Sequence, residues 1–135
     1  MPSRFFSSSV VAYASLATPA SPDQGSDLDS LRNWSLTKPV QMEILAEDIH
    51  PSESHRPLWS EILNAIERGG ITTLIVPSLF HIAGEDVIGL SRFLTFLKMH
   101  GVVLRSLKEN VNSRRFSRRE IITSFQNTSG KNHPE

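Results

Sequence analysis

The stretch that most limits the fold is Ile71-Thr72-Thr73-Leu74-Ile75-Val76, set between Gly69-Gly70 and Pro77. A strand with one wet face alternates apolar and polar residues. A nearly continuous β-branched run such as this one is the pattern of a parallel strand covered on both faces. Three other short apolar runs read as further strands: Val10 to Leu16, Val40 to Leu45, and Val102 to Leu107.

Helical patterns fill the gaps. Asp27 to Trp34 carries Leu28, Leu31 and Trp34 at three-residue spacing. Pro57 suits a first helical turn, and Leu58, Ile62, Leu63 and Ile66 then form one apolar stripe that ends at Gly69-Gly70. Leu90, Phe93, Leu94 and Leu97 form another, closed by Gly101. Strands and helices alternate at βαβ spacing. The expected class is therefore α/β, a mostly parallel four-stranded sheet flanked by helices.

The chain has 135 residues, enough for one domain, and its 39% hydrophobic content supplies a core. The expected organisation is an N-terminal extension (1–8), one domain (9–112) and a basic, partly helical or disordered tail (113–135). No cysteine is present, which excludes a disulfide framework, thiolate metal sites and a cysteine nucleophile. The five histidines are scattered without ligand-like spacing, so neither a metal nor a cofactor is expected. No run reaches the roughly 18 apolar residues of a membrane span. After Arg4 the longest unbroken apolar stretch is Val10 to Ala14, short for a secretory leader, so a cytoplasmic location is expected.

Fourteen Lys and Arg balance fourteen Asp and Glu, yet the signs are segregated. Residues 1–53 hold seven carboxylates against Arg4, Arg32 and Lys38, whereas residues 105–119 hold Arg105, Lys108, Arg114, Arg115, Arg118 and Arg119 against Glu109 alone. The basic segment has two readings. It neutralises phosphates, giving weak, salt-sensitive contact with the DNA backbone, or it is a solvated tail. Within it, Ser117 to Gln126 has Ile121, Ile122 and Phe125 on one side, as in a helix of two or three turns.

Over residues 9–112 the order of elements and several short motifs resemble the catalytic domain of the serine recombinases, the resolvase and invertase family. That family's first strand ends in Tyr-Ala-Arg-Val-Ser-Thr; this chain has Tyr13-Ala14-Ser15-Leu16-Ala17-Thr18. An acidic or glutamine-bearing loop and a short helix follow, similar to Asp23-Gln24 and Leu28 to Leu31. An Arg-Pro pair opens the next helix, as Arg56-Pro57 does here. Where the family reads Lys-Leu-Asp-Arg-Leu-Gly-Arg-Ser, this chain has Ser78-Leu79-Phe80-His81-Ile82-Ala83-Gly84-Glu85. Gly101-Val102 and Ser106-Leu107-Lys108-Glu109 resemble the family's final strand and turn.

The resemblance implies a DNA recombinase in which a serine hydroxyl attacks a phosphodiester inside a cluster of arginines, which bind phosphoryl oxygens bidentately. The chemically specific residues differ. The nucleophile position carries Ala17, and the arginine before it is Ser15. The Asp-Arg pair is Phe80-His81, and the following arginine falls on Gly84 or Glu85. Only Arg56 is retained, either as a phosphate contact or as a solvated residue at a helix start. Ser15 does not replace the lost serine, because two residues of strand displace its hydroxyl by roughly 6–7 Å. The expectation is a recombinase-type domain inactive in strand cleavage. Its expected partners are DNA through Arg56 and the basic segment, a second copy, or an active recombinase, with no membrane. An unrelated α/β regulatory or binding domain is the alternative.

Overall fold

The computed structural model describes residues 8–17, 27–38 and 41–128. Thr18, Asp23, Gln24, Val40, most of the expected 1–8 extension and the end of the tail lie outside the described residues. In chain order the elements are β1 (Val10–Ser15), α1 (Asp27–Ser35), β2 (Glu43–Glu47), α2 (Pro57–Glu67) and β3 (Thr73–Val76). There follow α3 (Phe80–Ala83), α4 (Val87–Met99), β4 (Val103–Ser106), β5 (Val111–Asn112) and α5 (Arg118–Thr128).

The strands form one sheet in the order β2-β1-β3-β4-β5. The first four are parallel, and β5 runs antiparallel to β4 with Ser106 opposite Val111. The parallel α/β expectation holds, with one addition: a fifth strand of two residues. Asn110, at a φ of 56°, makes the reversal that brings β5 back beside β4. A two-residue strand has no periodicity to read. The second strand lies closer to the C-terminus than the sequence pattern suggests, since pairing of Val11 with Glu43 through Ser15 with Glu47 selects its residues. The short helix α3 was not anticipated either, for four residues cannot display a helical stripe.

Alternation along β1 divides the core in two. Val11 and Tyr13 face the larger half, where Trp59, Ile62 and Ile66 of α2 meet Leu90, Phe93, Leu94 and Leu97 of α4. Ala12 and Ala14 face the other side and pack against Leu31 of α1 and Ile75 of β3. The helix expected beyond residue 113 forms as α5. It is packed into the larger core, with Ile121 and Phe125 buried there. No helix of the described residues is long and apolar enough to cross a membrane.

Candidate functional site

The parallel order directs the C-terminal ends of β1 and β3 to the same edge of the sheet, where open α/β sheets place their ligand sites. Ser15 ends β1, Ala17 lies in the turn after it, and Phe80 and His81 lie in the short helix that follows β3. The fold therefore gathers the positions that the sequence singled out. Two of them, Ser15 and His81, bind one another there.

His81 is completely buried. Its Nδ1 accepts the backbone N–H of Ser15 at 2.8 Å, and its Nε2 lies 2.8 Å from Oδ2 of Asp27 at the start of α1. A backbone N–H can only donate, so Nδ1 is the unprotonated nitrogen and Nε2–H donates to the carboxylate. Both ring nitrogens are occupied by the protein itself. The Ser15 hydroxyl is likewise used: it donates to the carbonyl of Ile49 at 2.5 Å, and the residue is 1% exposed. Phe80 stands edge-on to His50, with ring centroids 5.8 Å apart.

Arg56 has a different setting from the solvated one. It is 5% exposed, and its guanidinium turns inward. NH1 donates to the carbonyls of Ile82 (2.7 Å) and Pro51 (3.3 Å), and NH2 to that of His81 (2.7 Å) and to the Tyr13 phenol oxygen (3.4 Å). The cation also stacks over Trp59, 4.6 Å from the ring centroid. An arginine at a helix start is ordinarily wet. Here the α3 turn presents two carbonyls to it, and in this conformation its NH1 and NH2 donors are spent on the protein.

Glu47, at the end of β2, does the capping that Arg56 does not. Its carboxylate accepts the backbone N–H groups of Leu58 and Trp59 at 3.0 and 3.1 Å, in the first turn of α2. It also accepts the Tyr13 hydroxyl at 2.6 Å. Burial pushes the Tyr13 phenol well above its ordinary range. The bond to Glu47 adds to that shift, and the nearby Arg56 cation opposes it. Sequence reasoning missed Asp27 and Glu47 as partners because each acts across more than ten residues of chain. Glu109 accepts the Ser106 hydroxyl within its own turn and reaches back across 30 residues to accept the Leu79 N–H, and so fixes the turn after β3.

Gly84 has φ 61° and ψ −130°, a backbone region essentially restricted to glycine. An arginine at this position would strain the turn. Among the described residues no group of three or more His, Asp or Glu side chains is arranged to hold a metal ion.

The fold is shared with solved structures. The fold superposes on the N-terminal catalytic domain of TP901-1 integrase with a TM-score of 0.69, over 89% of this chain and 92% of that one, at 17% identity. It matches a resolvase family site-specific recombinase from Streptococcus pneumoniae at TM-score 0.59 and 14% identity, covering 89% and 87% of the two chains. The chain has the serine-recombinase catalytic-domain fold. The C-terminal catalytic domain of ISC1926 TnpA, an IS607-like serine recombinase, agrees over 73% of this chain and 68% of its own, at TM-score 0.57 and 17% identity. No protein-family model and no curated protein sequence matches the chain.

On the recombinase fold the expected basic residues do not form one surface. Arg105 is partly buried on the α1 side, its guanidinium 5.4 Å from the Trp34 ring centroid. Arg118, at the start of α5, donates to the hydroxyls of Thr95 and Ser91 on α4. Lys108, Arg114, Arg115 and Arg119 are exposed.

Proposed function

We propose that this recombinase-fold domain does not cleave DNA and acts instead by association, with itself or with an active recombinase. The observation that carries the reading is the state of the strand end where the attack would occur. Position 17 is an alanine, and the hydroxyl of Ser15 is buried and donates to a backbone carbonyl. A nucleophile has to come within about 3–3.5 Å of phosphorus, and a developing phosphorane needs cations around its oxygens. His81 is locked between Ser15 and Asp27, Arg56 is bound to backbone carbonyls, and Gly84 occupies a glycine-only turn. A cytoplasmic setting belongs to the same reading.

The test is incubation with supercoiled plasmid carrying recombination sites, followed by denaturing electrophoresis. The plasmid is expected to stay uncut, with no covalent protein–DNA adduct, and a phosphoseryl adduct would refute the proposal. The variant carrying both Ser15→Arg and Ala17→Ser is expected to stay inactive too, because Phe80 and His81 are unchanged.

A second reading, weak contact with the DNA backbone, is favoured by the exposure of Arg114, Arg115 and Arg119. It predicts binding at low salt that falls steeply as salt is added and weakens when these residues become alanine. Absence of binding at low salt removes it.

A further inference from the structure

A groove of about 860 Å³ lies between the C-terminal half of α4, the beginning of β4 and the turn into α5. Leu97, Val102, Phe116 and Ile121 contribute an apolar lining, and Met99 stands at its lip, 76% exposed. Lys98, Arg114, Arg115 and Arg118 are also among the lining residues, and none of the described residues lining it carries a carboxylate. Thr95 fixes one of these cations by accepting from Arg118 at 3.1 Å. Such a groove suits an apolar side chain flanked by carboxylates: the apolar group leaves water while the charges meet cations at the rim. An exposed, flexible methionine at the lip lets the surface adapt to its occupant.

The complementary feature is at the other end of the same helix. In the first turn of α4, Val87 and Leu90 pack inward while Ile88 points outward, 65% exposed. Glu85 and Asp86 immediately precede this turn, and both are exposed. The Asp86 carboxylate is held in place by accepting the Gly89 N–H at 2.9 Å. Among the described residues the large exposed apolar side chains are Leu16, Leu36, Ile88 and Met99, and Ile88 alone follows a pair of exposed carboxylates in sequence.

We propose that the chain associates head to tail, the Glu85–Ile88 corner of one copy seating in the cationic groove of the next. The inference rests on the association reading above and gives it a surface. Ile88 and the groove residues Leu94 to Met99 are separated along one rigid 13-residue helix by about 9–17 Å, so one copy cannot satisfy its own groove. Two different surfaces meet in such a contact. It is heterologous, and unless its rotation closes a ring it grows into open chains.

Sedimentation velocity without DNA tests this independently of strand cleavage. The purified chain is expected to gain mass past the dimer as concentration rises and to dissociate as salt is added. Ile88→Glu damages the corner. Arg114→Glu combined with Arg115→Glu damages the groove. All three positions lie on the surface, and each variant alone is expected to associate about tenfold more weakly. Mixed in equal amounts, the two variants restore one intact corner–groove pair and should form a dimer that grows no further. Ile88→Ser and Met99→Ser replace either variant whose thermal melt shows damaged folding. The proposal is overturned by a parent chain that stays monomeric at its highest soluble concentration, by one that saturates at a dimer, or by variants that associate as the parent does. A short DNA duplex that occupies the groove in preference to a second copy overturns it as well.

Discussion

Replacing His81 with leucine tests whether the strand end is locked in the way the geometry indicates. Leucine fills a similar volume, so little cavity is created, and the His81 carbonyl that binds Arg56 is a backbone group that remains. What disappears is the acceptor for the Ser15 N–H and the donor to Asp27. A buried N–H left without a partner costs about 1–3 kcal/mol. The bond to Asp27, whose side chain is 26% exposed, adds about 1 kcal/mol once water takes over part of its role. His81→Leu should therefore destabilise the domain by about 2–4 kcal/mol, read as a lower midpoint in urea unfolding with an unchanged slope. Asp27→Asn keeps the Ser15 bond and should cost much less. In the His81→Leu background it should cost almost nothing, since its partner is gone. Nitrogen shifts of the His81 ring should report a protonated Nε2 and a bare Nδ1. A His81→Leu protein within about 1 kcal/mol of the parent, or a protonated Nδ1, would refute the reasoning.

Two further perturbations follow from the same region. The folded state holds the Tyr13 proton more tightly than the unfolded chain does. The stability that Tyr13 contributes should thus be constant below the ordinary phenol value of about 10 and fall as pH rises above it, because the unfolded chain then releases a proton that the folded one keeps. Tyr13→Phe should flatten that alkaline decline in a pH series of urea melts, and an unchanged slope would count against a buried neutral phenol. Gly84→Ala should cost about 1–3 kcal/mol in the same assay, from the left-handed backbone rather than from lost contacts; a neutral substitution would mean the turn relaxes freely.

Legibility in the sequence followed the range of the interaction. The run Ile71–Val76 announced a strand buried on both faces, and Leu74, Ile75 and Val76 are fully or almost fully buried. The stripe Leu58 to Ile66 announced the helix that packs Ile62 and Ile66 into the core. The alanine at position 17 was equally plain, since it is read at one position. The environment of Arg56 could not be read in that way. Its burial depends on carbonyls of Pro51, His81 and Ile82, and backbone groups leave no mark in side-chain pattern. The partnership of Asp27 with His81 spans 54 residues and has no periodicity behind it.

Periodicity and glycine placement thus decided from the sequence that this chain folds as a mostly parallel α/β domain. They act locally, through strand and helix patterns of a few residues, and so they survive without knowledge of the fold. The tertiary structure decided which side chains face each other. It turned Arg56 inward, fixed the tautomer of His81, set Arg105 on a different side of the sheet from Arg118, and put Ile88 and the cationic groove at opposite ends of α4. Those outcomes depend on distances between segments far apart in the chain, and only folding brings them within hydrogen-bond or packing range.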